Sequence, residues 1–127
     1  MEWATKEISE ISKKYAAEFN LDHALVAAII IAESAGDPFA VRYEPLFNYA
    51  YKTKELAKTN HISEVTEIML QKCSFGPMQV MLCVCRELGY TATPLKLTDP
   101  ELSIKYGCKK LAELKGKYSK LTDVISA

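Results

Sequence analysis

Glu33 closes an unbroken apolar run, Ala24–Ala32, and is followed at once by Ser34. Val26, Ile29, Ile30 and Glu33 recur at spacings of three and four, so on a helix the carboxylate continues the stripe of side chains that faces the core. Burial disfavours a charged carboxylate, and so does the carbonyl end of a helix; both are expected to favour the protonated acid here. A carboxyl group that keeps its proton near neutral pH can serve as a general acid. The alternative is a terminal Glu that bends out to water beside Ser34 and does no chemistry. A second carboxylate, Glu44, lies in the stretch that leaves this run, where it is either a solvated loop charge or a partner reaching the same site. Asp37 precedes Pro38 and is expected to organise its own turn.

The elements that must hold these groups can be read from punctuation and period. Asp22 can cap a helix and Gly36 can end one, so residues between them read as one buried helix, too short to cross a bilayer. Before it, residues from about 4 to 19 place Ile8, Ile11, Tyr15 and Phe19 at helical spacing, an amphipathic helix. Asp37 to Pro45 holds two prolines and reads as a loop or short extended segment. Residues 46–58 are too irregular to assign. His61-Ile62-Ser63 introduces a short helix with Val65, Ile68 and Met69 on one side. Pro77 suits the first turn of a helix that ends at Gly89. Gln79 would then stand third in that helix, where it can reach back to the Gly76 N–H as a cap. Asp99 and Pro100 open another helix, with Ile104, Cys108, Leu111 and Leu114 on one face until Gly116. Thr122 to Ala127 resembles the cap and first turn of a further helix, too short to be stable alone. The sum is a compact, mainly helical single domain with little or no β-structure.

Composition narrows the partners. The 127 residues suit one domain able to bury a sizeable core. Sixteen basic and sixteen acidic residues cancel, with no block of like charge, so neither nucleic acid nor an anionic membrane is an expected partner. Cys73, Cys83, Cys85 and Cys108 lack paired zinc spacing, and His23 and His61 lie far from them, so no metal site is expected. Reduced, buried thiols are the default. Met1 to Lys6 has no basic region followed by an apolar one, so no export signal is expected there. A monomer without membrane insertion is the expected state.

Three landmarks stand in order: Ala28-Ile29-Ile30-Ile31-Ala32-Glu33-Ser34 followed by Asp37-Pro38, then Gly76-Pro77-Met78-Gln79-Val80-Met81, then Leu102 to Leu111 with its Tyr106-Gly107 pair. Together they resemble the soluble lytic transglycosylase family, which shares a lysozyme-like fold with goose-type lysozymes. The resemblance runs from about Ile8 to Ala127. Arg42-Tyr43-Glu44-Pro45 and Cys85-Arg86-Glu87-Leu88-Gly89-Tyr90 also resemble forms of this domain seen in bacteriophages and their hosts. Two positions depart from the pattern. Pro77 replaces the usual Leu, and the family's Tyr-Asn-Ala-Gly motif would begin just beyond Ala127, so the chain reads as a catalytic domain truncated before that motif.

The resemblance implies a peptidoglycan substrate, action at the cell wall and no cofactor. It puts Glu33 on the family's catalytic glutamate, Ser34 beside it in the cleft, and Met78 and Gln79 on the pair that lines the glycan groove. As it implies, Glu33 protonates the oxygen between N-acetylmuramic acid and N-acetylglucosamine, then takes the proton of the muramoyl C6 hydroxyl as a 1,6-anhydro ring closes. Beside these stand readings from the residues. Phe75, next to a Gly/Pro turn with Ser74, is expected partly exposed and able to stack on a sugar. Met78 can equally fill a core gap. Tyr106 lies on a helix with an apolar stripe, which favours packing, and is kept with Ser74 among the substrate-binding candidates. A goose-type muramidase that adds water, or a glycan-binding module without turnover, are the competing functions.

Overall fold

The structure, a computed structural model, describes residues 6–117. The helix start read at residues 122–127 lies outside the described residues. Helix α1 (Lys6–Glu18) forms from the expected pattern and buries Ile8, Ile11, Ser12, Tyr15 and Ala16. Helix α2 (His23–Ser34) starts where Asp22 accepts the Ala24 N–H at 2.9 Å. Ser12 Oγ lies 2.9 Å from His23 Nε2 and joins the two helices.

Helix α2 is not buried all round, as its composition suggests. Val26 and Ile30 are fully buried and Ile29 is half-buried, while Ala28, Ile31 and Ala32 are exposed. Only the face that meets the core is covered. Glu33 lies beyond Ile30, the last core residue of the helix, and is exposed. Left-handed residues at Ala35 (φ 52°) and Gly36 (φ 86°) then turn the chain away.

Strand β1 (Val41–Tyr43) follows, then helices α3 (Thr53–Thr59) and α4 (Glu64–Gln71), then strands β2 (Cys73–Phe75) and β3 (Val80–Met81). The strands form one antiparallel sheet in the order β1-β2-β3. α4 follows His61-Ile62-Ser63 as expected, and Ser63 caps it, its side chain accepting the Thr66 N–H at 3.1 Å. The apolar side read for α4 is covered only at Ile68, which is half-buried. Val65 is 67% and Met69 50% exposed, whereas Glu67 and Gln71 are fully buried. Glu67 turns inward because Arg86 meets it there at 2.9 Å, satisfying a charge that could not be buried alone.

Pro77 does not open a helix. Gly76–Gln79 is the turn between β2 and β3, and helix α5 (Leu82–Glu87) begins only after Val80 and Met81 have paired with β2. Left-handed φ angles at Gly76 (77°) and Gln79 (53°) fit a turn and not a helix N-terminus. The chain leaves α5 through Gly89, as expected, with φ 106°. A 3₁₀ turn (Pro94–Thr98) leads to helix α6 (Pro100–Lys117), where Asp99 Oδ1 accepts the Glu101 N–H at 2.9 Å.

Helix α6 serves two apolar clusters. Ile104, Cys108 and Leu111 pack with α1 and α2, and Leu102 and Tyr106 pack against a second cluster built on the sheet and α5. Its buried face carries Ser103 and Gly107, small enough to let the Gly76–Gln79 turn lie close. A Cβ at Gly107 would come 2.7 Å from Met78 Sδ, and one at Gly76 would collide with Ser103 Oγ. Tyr15 Oη donates to Glu101 Oε2 at 2.7 Å and ties α1 to α6. That bond holds the Glu101 carboxyl below its ordinary range. All four cysteines are buried free thiols, and burial pushes Cys83 up to about 11 and Cys85 and Cys108 to about 12. The fold is mainly helical with little β-structure, as expected, and what β-structure there is forms one small sheet that the sequence did not signal.

Candidate active site

Where α2 ends beside the sheet, an open cleft of about 580 Å³ is lined by Glu33, Arg42, Glu44, Pro45, Leu46, Phe47, Ser74, Gln79 and Met81. Strand pairing explains the membership. Arg42 faces Ser74 across β1 and β2, and Ser74 faces Met81 across β2 and β3, so these three side chains form a row on one surface of the sheet. Phe75, one residue on, must point to the other surface, and there it is 2% exposed in the core. The ring expected to meet a ligand is therefore held away from the cleft.

Gln79 is the keystone of the turn. Its side-chain Nε2 donates to Ala40 O at 2.9 Å and to Gly76 O at 3.0 Å, while its Oε1 accepts from Ser74 Oγ at 3.1 Å. The helix cap expected of it does not form, since the Gly76 N–H is taken by Ala40 O at 2.9 Å. Three bonds from one amide fasten the turn to β2 and to the residue before β1. They hold Gln79 in a backbone conformation that costs a non-glycine residue about 1 kcal/mol. Gln79→Ala is expected to lose about 1–3 kcal/mol of stability, and Gln79→Gly to recover roughly 1 kcal/mol of it by relieving the backbone. Chemical denaturation of the three proteins checks this; equal losses for Ala and Gly would show that the left-handed backbone carries no strain.

Ser34 connects this turn to Glu33. Its Oγ lies 2.8 Å from Pro77 O and 3.3 Å from Ile30 O, and accepts the Gly36 N–H at 3.1 Å. The hydroxyl beside Glu33 thus bolts the end of α2 to the turn that carries Gln79. Ser34, expected in the cleft, is not among the residues that line it and instead joins two elements that do. Met78 is 7% exposed, packed on Gly107 and 3.9 Å from Cys108 Sγ. It lines a separate apolar groove with Ile29, Val84 and Leu114. Tyr106 packs edge-to-face on Tyr90, ring centroids 5.4 Å apart, in the second core. The structure therefore brings Glu33, Glu44, Ser74 and Gln79 into one cleft, and keeps Phe75, Met78 and Tyr106 out of it.

Arg42, Pro45, Leu46, Phe47 and Met81 were not among the expected site residues. Arg42 and Glu44 stand two apart, the spacing that puts both on one side of an extended strand, and this was the available signal. Arg42 is the one cation lining the cleft among the described residues.

A family model described as the transglycosylase SLT domain matches residues 10–127. The chain belongs to the transglycosylase SLT family. Membership places the domain in the lysozyme-like superfamily and gives it a lytic transglycosylase type of function, acting on the peptidoglycan of the cell wall. No curated protein and no solved structure matches the chain. No helix among the described residues of this SLT domain is long and apolar enough to cross a membrane.

Proposed function

We propose that this SLT domain is a lytic transglycosylase that cleaves the MurNAc-β-1,4-GlcNAc bond without consuming water, with Glu33 as the single acid and base. The observation that carries the proposal is that Glu33 lines the cleft, its helix end locked through Ser34 to the turn that holds Gln79. Glu33 gives its proton to the bridging oxygen as the bond from that oxygen to C1 breaks. The C6 hydroxyl oxygen then bonds to C1, and its proton returns to Glu33. Ser74 and Gln79 form the polar floor on which the glycan lies, and the domain works as a monomer.

A hydrolytic reading draws support from Glu44, a half-buried carboxylate lining the same cleft. Inverting glycosidases place a base about 6.5–9.5 Å from the acid to activate water. In the transglycosylase reading the C6 hydroxyl, already part of the bound sugar, reaches C1 by proximity before water does. Glu44→Gln is then expected to keep most of the activity, within about tenfold of the parent and well short of the loss typical of removing a catalytic acid. Mass spectrometry of a peptidoglycan digest decides between the two, because anhydro ends are lighter than hydrolysed ends by one water. Reducing ends, with Glu44→Gln as damaging as Glu33→Gln, would make the protein a muramidase. Binding without cleavage by the parent protein would make it a glycan-binding module.

A further inference from the structure

The cleft wall formed by Glu44, Pro45, Leu46 and Phe47 belongs to a stretch, residues 44–52, with no helix or strand. Its own packing is sparse, since Leu46 is 94% exposed and Asn48, Tyr49 and Ala50 are exposed as well, and its middle has one solvent-exposed tie, from Tyr49 Oη to Glu87 Oε1 at 3.0 Å. Its two ends are fastened to consecutive residues at the end of α4. The Glu44 N–H donates to Lys72 O at 2.8 Å. Seven residues later the Tyr51 N–H donates to Gln71 Oε1 at 2.7 Å, and Gln71 Nε2 returns a bond to Tyr51 O at 2.8 Å. One side-chain amide thus pairs with both polar groups of a single backbone residue, as a neighbouring strand would.

The direction of that amide is set from behind. The second Nε2 proton of Gln71 goes to Glu67 Oε2 at 2.8 Å. Glu67 receives Arg86 Nε at 3.0 Å and Nη2 at 2.9 Å, and Arg86 Nη1 donates to the carbonyls of Tyr90 and Ala92. Gln71 and Glu67 are wholly buried and Arg86 nearly so. A carboxylate only accepts, so Gln71 must turn its NH₂ toward Glu67, which leaves one N–H and the oxygen aimed at Tyr51 in the order that its backbone requires.

We propose that Arg86, Glu67 and Gln71 form a positioning relay that holds the 44–52 loop in its binding shape and so sets the affinity of the cleft for its glycan. The inference rests on the peptidoglycan reading of the cleft. Glu33 stands at the end of α2, which Ser34 ties to the Gly76–Gln79 turn and not to the loop, so loosening the loop leaves the proton transfer intact and puts the ordering entropy into binding. Gln71 is accordingly a positioning residue and touches no substrate.

Gln71→Met keeps the length of the side chain and removes both bonds to Tyr51. Gln71→Glu keeps the acceptor but sets a second carboxylate against Glu67. Ile11→Val, in the core between α1 and α6, is the control for stability loss alone. Hydrogen exchange at the Tyr51 amide is expected to quicken about tenfold or more in both Gln71 variants, with α1 and α6 still protected. On soluble peptidoglycan strands, KM is expected to rise about tenfold with kcat within about twofold. Ile11→Val should move neither. Unchanged Tyr51 exchange overturns the proposal, as does a KM no higher than that of Ile11→Val, or a fall in kcat at constant KM. A parent protein that leaves peptidoglycan uncut overturns the reading of the cleft instead, and the exchange measurements still decide whether the relay holds the loop.

Discussion

Glu33→Gln is expected to lower peptidoglycan turnover by about 10²–10⁴-fold while leaving the thermal midpoint where it was. The amide keeps the shape of the side chain but can neither give nor take the proton. Stability should be indifferent because Glu33 is exposed and its carboxylate has no hydrogen bond or ion pair with the described residues. Substitutions of that kind stay within about 0.5 kcal/mol. The exposed position also changes how the acid must work. Burial in the core, with the carbonyl end of the helix, was the expected reason for it to keep its proton, and the structure places the group, exposed, in the lining of an open cleft. In the proposed mechanism a glycan filling that cleft would cover the carboxyl and remove its water, so the desolvation would arrive with the substrate. Turnover and thermal melting of the two proteins, measured side by side, check this. Near-parental lysis by a folded Glu33→Gln protein would remove Glu33 from the chemistry.

Much of the helical frame was legible because its apolar residues repeat over several turns. α1, α2 and α6 carry such patterns, α2 and α6 with Asp caps as well, and each stands where its period, and for the latter two the Asp signal, put it. The sheet was not legible, since strands of two and three residues are too short to show alternation. That single omission explains three misplacements. It turned the Gly76–Gln79 turn into a helix start, put Phe75 toward the ligand, and hid the row of Arg42, Ser74 and Met81. α4 failed for another reason. Val65 and Met69 made the better apolar stripe, and the helix nevertheless buries Glu67, because its partner Arg86 lies nineteen residues on and leaves no local signal. Glu33 and Gln79 were reached as candidates, but the work Gln79 does in holding the turn is visible only in its left-handed backbone and its three bonds.

The largest expected effect on stability is at that same buried pair. Arg86→Met removes the only cation facing Glu67 among the described residues and leaves a carboxylate sealed from water. Breaking one side of such a pair typically costs about 3–5 kcal/mol, which for a domain of this size lowers the thermal midpoint by on the order of 10–20 °C. Glu67→Leu should cost as much, because it strands the guanidinium instead. Replacing both is a different matter. The double variant Glu67→Leu with Arg86→Met buries no charge, and its loss should be smaller than that of either single change. It should not fall to zero, since the carbonyls of Tyr90 and Ala92 and the Nε2 of Gln71 would each lose a partner. Those orphans are the reason a purely apolar replacement cannot fully restore the site. Denaturant unfolding of the four proteins closes the cycle. Single losses under about 1 kcal/mol would mean that the pair is in contact with water, and a double loss equal to the sum of the singles would mean that the two charges do not depend on one another.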